Sequence, residues 1–551
     1  MLLKVITRFI FCFVCLLLIS FTCSSQQLPP ELDTYVQKVM QTFHVPGVSL
    51  AIVKDGKVIL TKGYGVKEAG KNNAVNDHTL FCIASNSKAF TATALGILAE
   101  EGKIHWNDPV INYLPWFRMS NPYVTTHITI RDLLVHHSGL GLGAGDLLQF
   151  PPSNYTRKEM TEKLRYVPLK TSFRNNFAYD NILYLVAGEV IHTASGMTWE
   201  EFIRKNILNK IGMTESVDRI SQFNHQPNVA VSNIPFESKV IANPGFPGNE
   251  LTDASNPAGG IASNAVDMSK WLITQLDSGK APNGDQLFHS ETTDALWNLV
   301  TPIAVPTLPE ILKPEQMNFY GYGLGFFLQD YRGYKMVWHT GGLSGFVSKV
   351  TMIPTLKLGI CVLTNQESGA AFDAITNHIL DYYMYAPAYD WIGSYQKLLQ
   401  RRESGVGQYL EKINAGRDST AGPSLLLTKY AGAYHDDWYG DIGITIENNH
   451  LVMKFGHTPD LTGDMVHWQY DTFIVHWRDR ELRADAFVTF ALNPDGSIYE
   501  ARMKAVSPAT DFSYDFQDLL LKPVSNYSTI QPFNHSTIQQ FNNITIQPFI
   551  K

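Results

Sequence analysis

Apolar residues recur at strand period near both ends of the first 390 residues and at helical period between them, and this arrangement limits the fold more than any other feature. Residues 48–53 and 58–61, joined by Lys54-Asp55-Gly56-Lys57, read as a β-hairpin around an Asp-Gly turn. A second strand-rich stretch opens at Tyr320-Gly321-Tyr322. It continues through residues 336–339, 347–353 and 358–364, with turn residues at Gly341-Gly342 and Pro354-Thr355. Helical patterns occupy residues 31–44 ahead of the hairpin, and 89–99, 130–135 (ending at His136-His137-Ser138-Gly139-Leu140), 183–191 and 268–272 between the two strand regions. Strands at both ends with helices between predict an α+β domain over residues 29–390: an antiparallel sheet flanked by helices.

The pattern changes after residue 390. Residues 391–422 are polar and helical, and Gly405 and Gly407 are expected to interrupt them, which suits a linker. Residues 423–522 carry short alternating strands at 442–446, 451–455, 473–477 and 487–491. With turns at Asn448-Asn449 and Pro494-Asp495-Gly496, they predict a small all-β barrel. Trp438, Trp468 and Trp477 are expected to pack its core rather than line a ligand pocket. The segment 523–551 contains an octad, residues 528–535, that recurs as 536–543 and less faithfully as 544–551. It is low in complexity and is assigned no role.

Residues 1–25 read as an export signal. Lys4 and Arg8 precede an apolar run from Phe9 to Thr22, and cleavage is expected after Ser25. Lipid attachment at Cys23 is the alternative, and the only membrane association expected. The destination is periplasmic or extracellular. Of five cysteines, three lie in this leader; Cys82 and Cys361 are expected to be buried small hydrophobes. Against 44 basic residues stand 51 acidic ones, a net charge of −7, and no long basic run occurs; this argues against a nucleic-acid partner, and none is expected.

The chemistry centres on Phe81-Cys82-Ile83-Ala84-Ser85-Asn86-Ser87-Lys88, where an extended segment gives way to a helix. A lysine one turn after a serine lies on the same helix face and reaches its hydroxyl. If burial lowers its pKa, it becomes the base a serine nucleophile needs. The pair alone is weak, since Ser394-Tyr395-Gln396-Lys397 repeats the spacing without other site character. Two further elements strengthen it. Tyr179-Asp180-Asn181 is the single Y-x-N in the chain and precedes a helix, and His339-Thr340-Gly341-Gly342 ends a strand. His136-His137 is given a structural or cleft-wall role, because adjacent histidines face apart and no H-E-x-x-H accompanies them; no metal and no cofactor are expected. Gly342-Leu343-Ser344-Gly345 is not G-x-S-x-G and lies outside any βαβ series, which argues against an α/β-hydrolase.

In that order, the three elements resemble the signature of the serine β-lactamase and penicillin-binding superfamily, nearest its class C and serine D-peptidase branch. Val45-Pro46-Gly47, residues 133–140, Pro257-Ala258-Gly259-Gly260 and residues 321–325 also look like that branch's landmarks. The likeness covers about residues 30–385, and the C-terminal region resembles a lipocalin-like barrel often appended to such proteins. It implies a sheet with an all-helical subdomain and an acyl-serine hydrolase of small peptide, amide or ester substrates. Ser85 would be the nucleophile, with Lys88 and Tyr179 sharing the proton transfers. Asn181 would bond Lys88 or a substrate amide. The strand residues His339, Thr340, Gly341 and Gly342 would line the substrate side, and the backbone N–H groups of Ser85 and Gly342 would form an oxyanion hole. The branch usually has lysine where this chain has His339. That weakens the fixed charge for a substrate carboxylate and leaves a slowly acylating penicillin- or peptidoglycan-binding protein as the alternative. Oligomeric state is left open.

Overall fold

The computed structural model describes residues 28–524 apart from 237, 238, 244 and 249, so the predicted leader and all but the first two residues of the repeat tail lie outside the described residues. The chain forms two compact units. One runs to Ala415 and includes Ser507–Asp515; the other comprises Gly416–Val506 and resumes at Phe516. Among the described residues no helix is long and apolar enough to cross a membrane.

The larger unit is built on an eight-stranded antiparallel sheet. In chain order its strands are β1 (Gly47–Lys54), β2 (Lys57–Gly65), β3 (Thr301–Pro302), β4 (Tyr320–Tyr322), β5 (Phe327–Tyr331), β6 (Tyr334–Leu343), β7 (Phe346–Ile353) and β8 (Leu358–Thr364). The spatial order is β2-β1-β8-β7-β6-β5-β4-β3, so the N-terminal hairpin pairs with the last strand. Val48 stands opposite Thr364, and Lys54 opposite Leu358. The hairpin turns through Asp55 and Gly56, both at positive φ, as an Asp-Gly turn requires.

Both faces of the sheet are covered, which is why its central strands are apolar throughout. Val48, Leu50 and Ile52 of β1, with Leu358, Ile360 and Val362 of β8, share a core with helices α1 (Leu32–Thr42), α5 (Gly369–Tyr383) and α6 (Trp391–Ala415). The opposite phase faces α4 (Ala265–Leu276): the carbon a side chain would add at Gly359 meets Val53, Leu272 and Leu276. The helical region on that side holds α2 (Ser87–Glu100) and α3 (Ile182–Ser195), together with a small hairpin at Asn233–Phe236 and Lys239–Ala242. The helix expected at Ile130–Val135 runs over Ile130–Leu134 with Val135 at its C-cap, and opens on a capping box of Thr129 and Asp132. Cys82 and Cys361 are buried and free.

Trp271 of α4 stacks on Phe90 of α2, ring centroids 3.8 Å apart, and is 1% exposed. Trp271→Ala should therefore remove about 3–5 kcal/mol of stability. A denaturant titration should show an earlier transition of this unit; an unshifted midpoint would contradict the assigned packing.

α6 corrects one expectation, for it runs unbroken through Gly405 and Gly407. Nothing lies within 4 Å of either added carbon, so each glycine costs only about 1 kcal/mol of propensity and no packing conflict breaks the helix.

The smaller unit is a closed barrel of eight antiparallel strands, each paired with its neighbour in sequence. These are β9 (Gly432–Asp436), β10 (Gly440–Glu447), β11 (His450–Phe455), β12 (Thr462–Gln469), β13 (Thr472–Trp477), β14 (Ala486–Leu492), β15 (Ile498–Ala505) and β16 (Leu520–Pro523). Tyr434 opposite Pro523 and His435 opposite Lys522 close it. Trp438 and Trp477 are in its core, whereas Trp468 is half-buried between Phe487 and the Arg417 guanidinium.

Candidate active site

Ser85 sits on a short 3₁₀ turn, Ala84–Asn86, that runs straight into α2. Ala84 just before it has φ 47°, a left-handed conformation that costs an alanine about 1–3 kcal/mol and must be held by its surroundings. The surroundings are specific. Ile83 donates its N–H to Ile261 O at 3.0 Å and accepts from the Ser348 hydroxyl at 2.8 Å. Asn86 Nδ2 donates to the same Ser348 oxygen at 2.8 Å.

Strand β6 passes against this turn. It pairs with β5 only through residues 334–338 and with β7 through residues 337–343, so residues 339–343 have a ladder on one side only. At Gly341 an added carbon would stand 2.1 Å from Ile83 O and 3.0 Å from the Ala84 Cβ, so only glycine lets the strand come this close. At Gly342, whose added carbon would point to the other face of the strand, nothing lies within 4 Å.

Lys88, one turn into the helix, is fully buried. Its Nζ donates to Ser85 Oγ at 2.9 Å, Asn181 Oδ1 at 2.7 Å and Ala258 O at 2.9 Å. The last partner comes from the Pro257-Ala258-Gly259-Gly260 stretch and explains its place near the site. Burial drops the Lys88 pKa to about 7, with the Asp146 charge opposing the fall.

Tyr179 and Asn181 stand just ahead of α3. The Tyr179 phenol lies beside the Ser85 hydroxyl; burial pushes its pKa up and Ser85 opposes the rise, so it keeps its proton at neutral pH. Its ring lies 4.9 Å from Lys88 Nζ, between His136 at 4.3 Å and the edge-on ring of Phe512 at 6.0 Å.

The structure thus brings Ser85, Lys88, Tyr179 and Asn181 together, with Gly341 and Gly342 alongside on β6. His339 lies deeper. It is 2% exposed, and its ring is 6.2 Å from that of Tyr179. Tyr322 donates its hydroxyl proton to Nε2 at 2.9 Å and Nδ1 donates to Thr340 O at 2.6 Å, which assigns the neutral tautomer. Burial, then the nearby Lys88, lowers the His339 pKa to about 3. His136 and His137 do face apart. His136 Nδ1 accepts from the Asp180 N–H, whereas His137 bonds Asp132 at 2.7 Å and Thr301 at 3.1 Å.

Asp146 was not among the residues expected. It is buried, and its carboxylate accepts from Asn181 Nδ2 at 2.8 Å, Gln149 Nε2 at 2.9 Å and Ser513 Oγ at 3.0 Å. Its only sequence signal is its isolation: it is the one acid in the run Leu140 to Leu148, otherwise leucine, glycine and alanine.

Comparisons with known proteins agree with this arrangement. Residues 32–383 match the Beta-lactamase family, and residues 417–523 match a domain of unknown function (DUF3471). The chain is 28% identical to the unguisins hydrolase ungD' of Aspergillus campestris, over 86% of this chain and 89% of that protein. It is likewise 28% identical to Protein flp of Staphylococcus aureus, over 63% of this chain and 64% of that one. Among solved structures, the octameric penicillin-binding protein homologue from Pyrococcus abyssi superposes with TM-score 0.55 at 21% identity, covering 89% of this chain and 99% of its own. A class C beta-lactamase gives 0.53 at 19% identity, over 66% and 98%. A strained serine turn, a buried lysine on its hydroxyl and a family match across the whole sheet domain lead to one statement: this chain belongs to the Beta-lactamase family of serine hydrolases.

Proposed function

We propose that this protein is an exported hydrolase that cleaves amide, peptide or ester bonds through an acyl intermediate on Ser85. The observation that carries the reading is the Lys88 amine, fully buried and 2.9 Å from the Ser85 oxygen. Near pH 7 a substantial fraction of Lys88 is neutral, while Tyr179 holds its proton. That difference divides the proton work. Neutral Lys88 takes the Ser85 proton as Oγ attacks the carbonyl carbon. The oxyanion is met by the N–H groups of Ser85 and Gly342. As the intermediate collapses, Tyr179 gives its proton to the leaving group and regains one from the Lys88 ammonium. Water then repeats the sequence on the acyl-serine.

Neutral substrates are favoured, because the group standing where a lysine would hold a carboxylate is an uncharged, buried His339. Two relatives carry the name unguisins hydrolase, which supports turnover rather than binding alone. Export rests on the Lys4/Arg8 start and the apolar run that follows.

A matched pair tests this reading: N-acetyl-D-Ala-D-Ala and its C-terminal amide. The amide should show a kcat/KM higher by about tenfold or more, the worth of one charge-assisted contact the site does not offer. Preference for the free carboxylate, or acylation without turnover on the pair and on p-nitrophenyl acetate, would overturn it.

A further inference from the structure

Asp146 is a buried carboxyl that touches neither the nucleophile nor its base, yet every polar contact it makes leads toward them or holds it in place. Asn181 bridges the two: its Oδ1 accepts from Lys88 at 2.7 Å and its Nδ2 donates to Asp146 Oδ2 at 2.8 Å. With the Asn181 oxygen turned to the lysine, its buried nitrogen needs an acceptor, and Asp146 supplies one.

Asp146 is fixed in turn by a distant segment. Residues 507–515 fall between β15 and β16 in sequence but belong to the larger unit. Within it, Ser513 Oγ donates to Asp146 Oδ2 at 3.0 Å, and Asp515 accepts the N–H groups of Gly145 at 2.6 Å and Leu147 at 3.1 Å. Gly145 and Leu147 flank Asp146, so the segment clamps this carboxyl's own backbone.

We propose that Asp146 is a positioning residue that sets the charge of the catalytic lysine: its carboxylate, relayed through Asn181 and held by Ser513, favours the protonated amine. The inference rests on the Ser85/Lys88 reading above and adds a regulator of its working pH. Burial raises the Asp146 pKa to about 7, opposed by the hydrogen bonds from Asn181, Ser513 and Gln149 and then by the Lys88 charge. The two groups therefore titrate as a pair in the same range.

The other ionisable groups around the pair are accounted for. His136 and His339 carry pKa values lowered by burial and by Lys88, so both are neutral there. Tyr179 and Tyr184 face Lys88 with their rings, and burial raises the pKa of each. Asp180 is pushed well up by burial and then by Asp146, and Asp515 acts on it from the clamp.

The test is the pH profile of kcat/KM for a neutral ester with D146N and S513A. In the wild type the acid limb reports loss of the proton from the Lys88 ammonium. Removing the Asp146 charge makes that proton easier to lose, so D146N should move the limb at least half a unit to lower pH. S513A withdraws a hydrogen bond that favours the Asp146 carboxylate, and should move the limb the same way by less. A limb that stays put in both variants, whatever the loss of rate, means Asp146 only holds the loop together, and the inference is wrong. K88M separates the two layers. If the wild-type limb persists without Lys88, the underlying lysine-base reading fails; if it vanishes there but is unmoved in D146N, only the role of Asp146 fails.

Discussion

Ser85→Ala is expected to lower turnover of every substrate by at least about 10⁴-fold while leaving the fold intact. The serine is half-buried, and its oxygen takes the hydrogen bond from Lys88 Nζ at 2.9 Å. Loss of that bond costs about 1 kcal/mol, because the amine keeps Asn181 and Ala258 as acceptors. The chemistry has no substitute. Neither neighbouring nucleophile, Ser87 nor Cys82, is available: both are fully buried, and burial also pushes the Cys82 pKa well up. Steady-state assays with an ester and an amide check this, and a variant retaining more than about one per cent of wild-type turnover would rule out the serine mechanism.

Lys88→Met should cost about 10³-fold in kcat, or about 4 kcal/mol of barrier, within the range of losing a positioned general base. Methionine keeps the length of the side chain and removes only the amine. Asn181 Oδ1 and Ala258 O then lose a donor, a penalty of about 1–3 kcal/mol each, partly offset because a cationic amine no longer has to be held at a fully buried site. The protein should therefore fold. The pH dependence gives the sign. In the proposed mechanism the neutral amine is the active form, and its pKa is depressed to about 7, so wild-type kcat/KM should rise with pH through that region. K88M should be slow and flat across it. A rate within tenfold of wild type, or an unchanged acid limb, would assign the base elsewhere.

What the sequence revealed and what it hid follow from distance along the chain. Ser85 and Lys88 were legible because a single helical turn fixes their separation, and Tyr179 and Asn181 because they sit together ahead of one helix. Asp146 was not, since its meaning depends on Asn181, 35 residues away, and Ser513, 367 residues away. The same limit applies to His339. Its motif position was readable, but not that Tyr322 and the Thr340 carbonyl would fix it as a neutral buried ring. In the barrel, β10, β11, β13 and β14 announced themselves by apolar alternation. β9 buries the polar Asp436, β12 exposes Val466 while burying Gly463, and β15 exposes Tyr499, so their apolar period is diluted. Gly405 and Gly407 misled because propensity alone does not break an exposed helix that needs no close packing there.

Ser85 must be the activated hydroxyl of this chain if the proposed mechanism holds, and a fluorophosphonate probe reads that without knowledge of the substrate. After labelling the intact protein, digestion and mass spectrometry should place the adduct on Ser85, with labelling faster at pH 8 than at pH 6 as Lys88 loses its proton. An adduct on any other residue, or equal labelling of the Ser85→Ala protein, would contradict it.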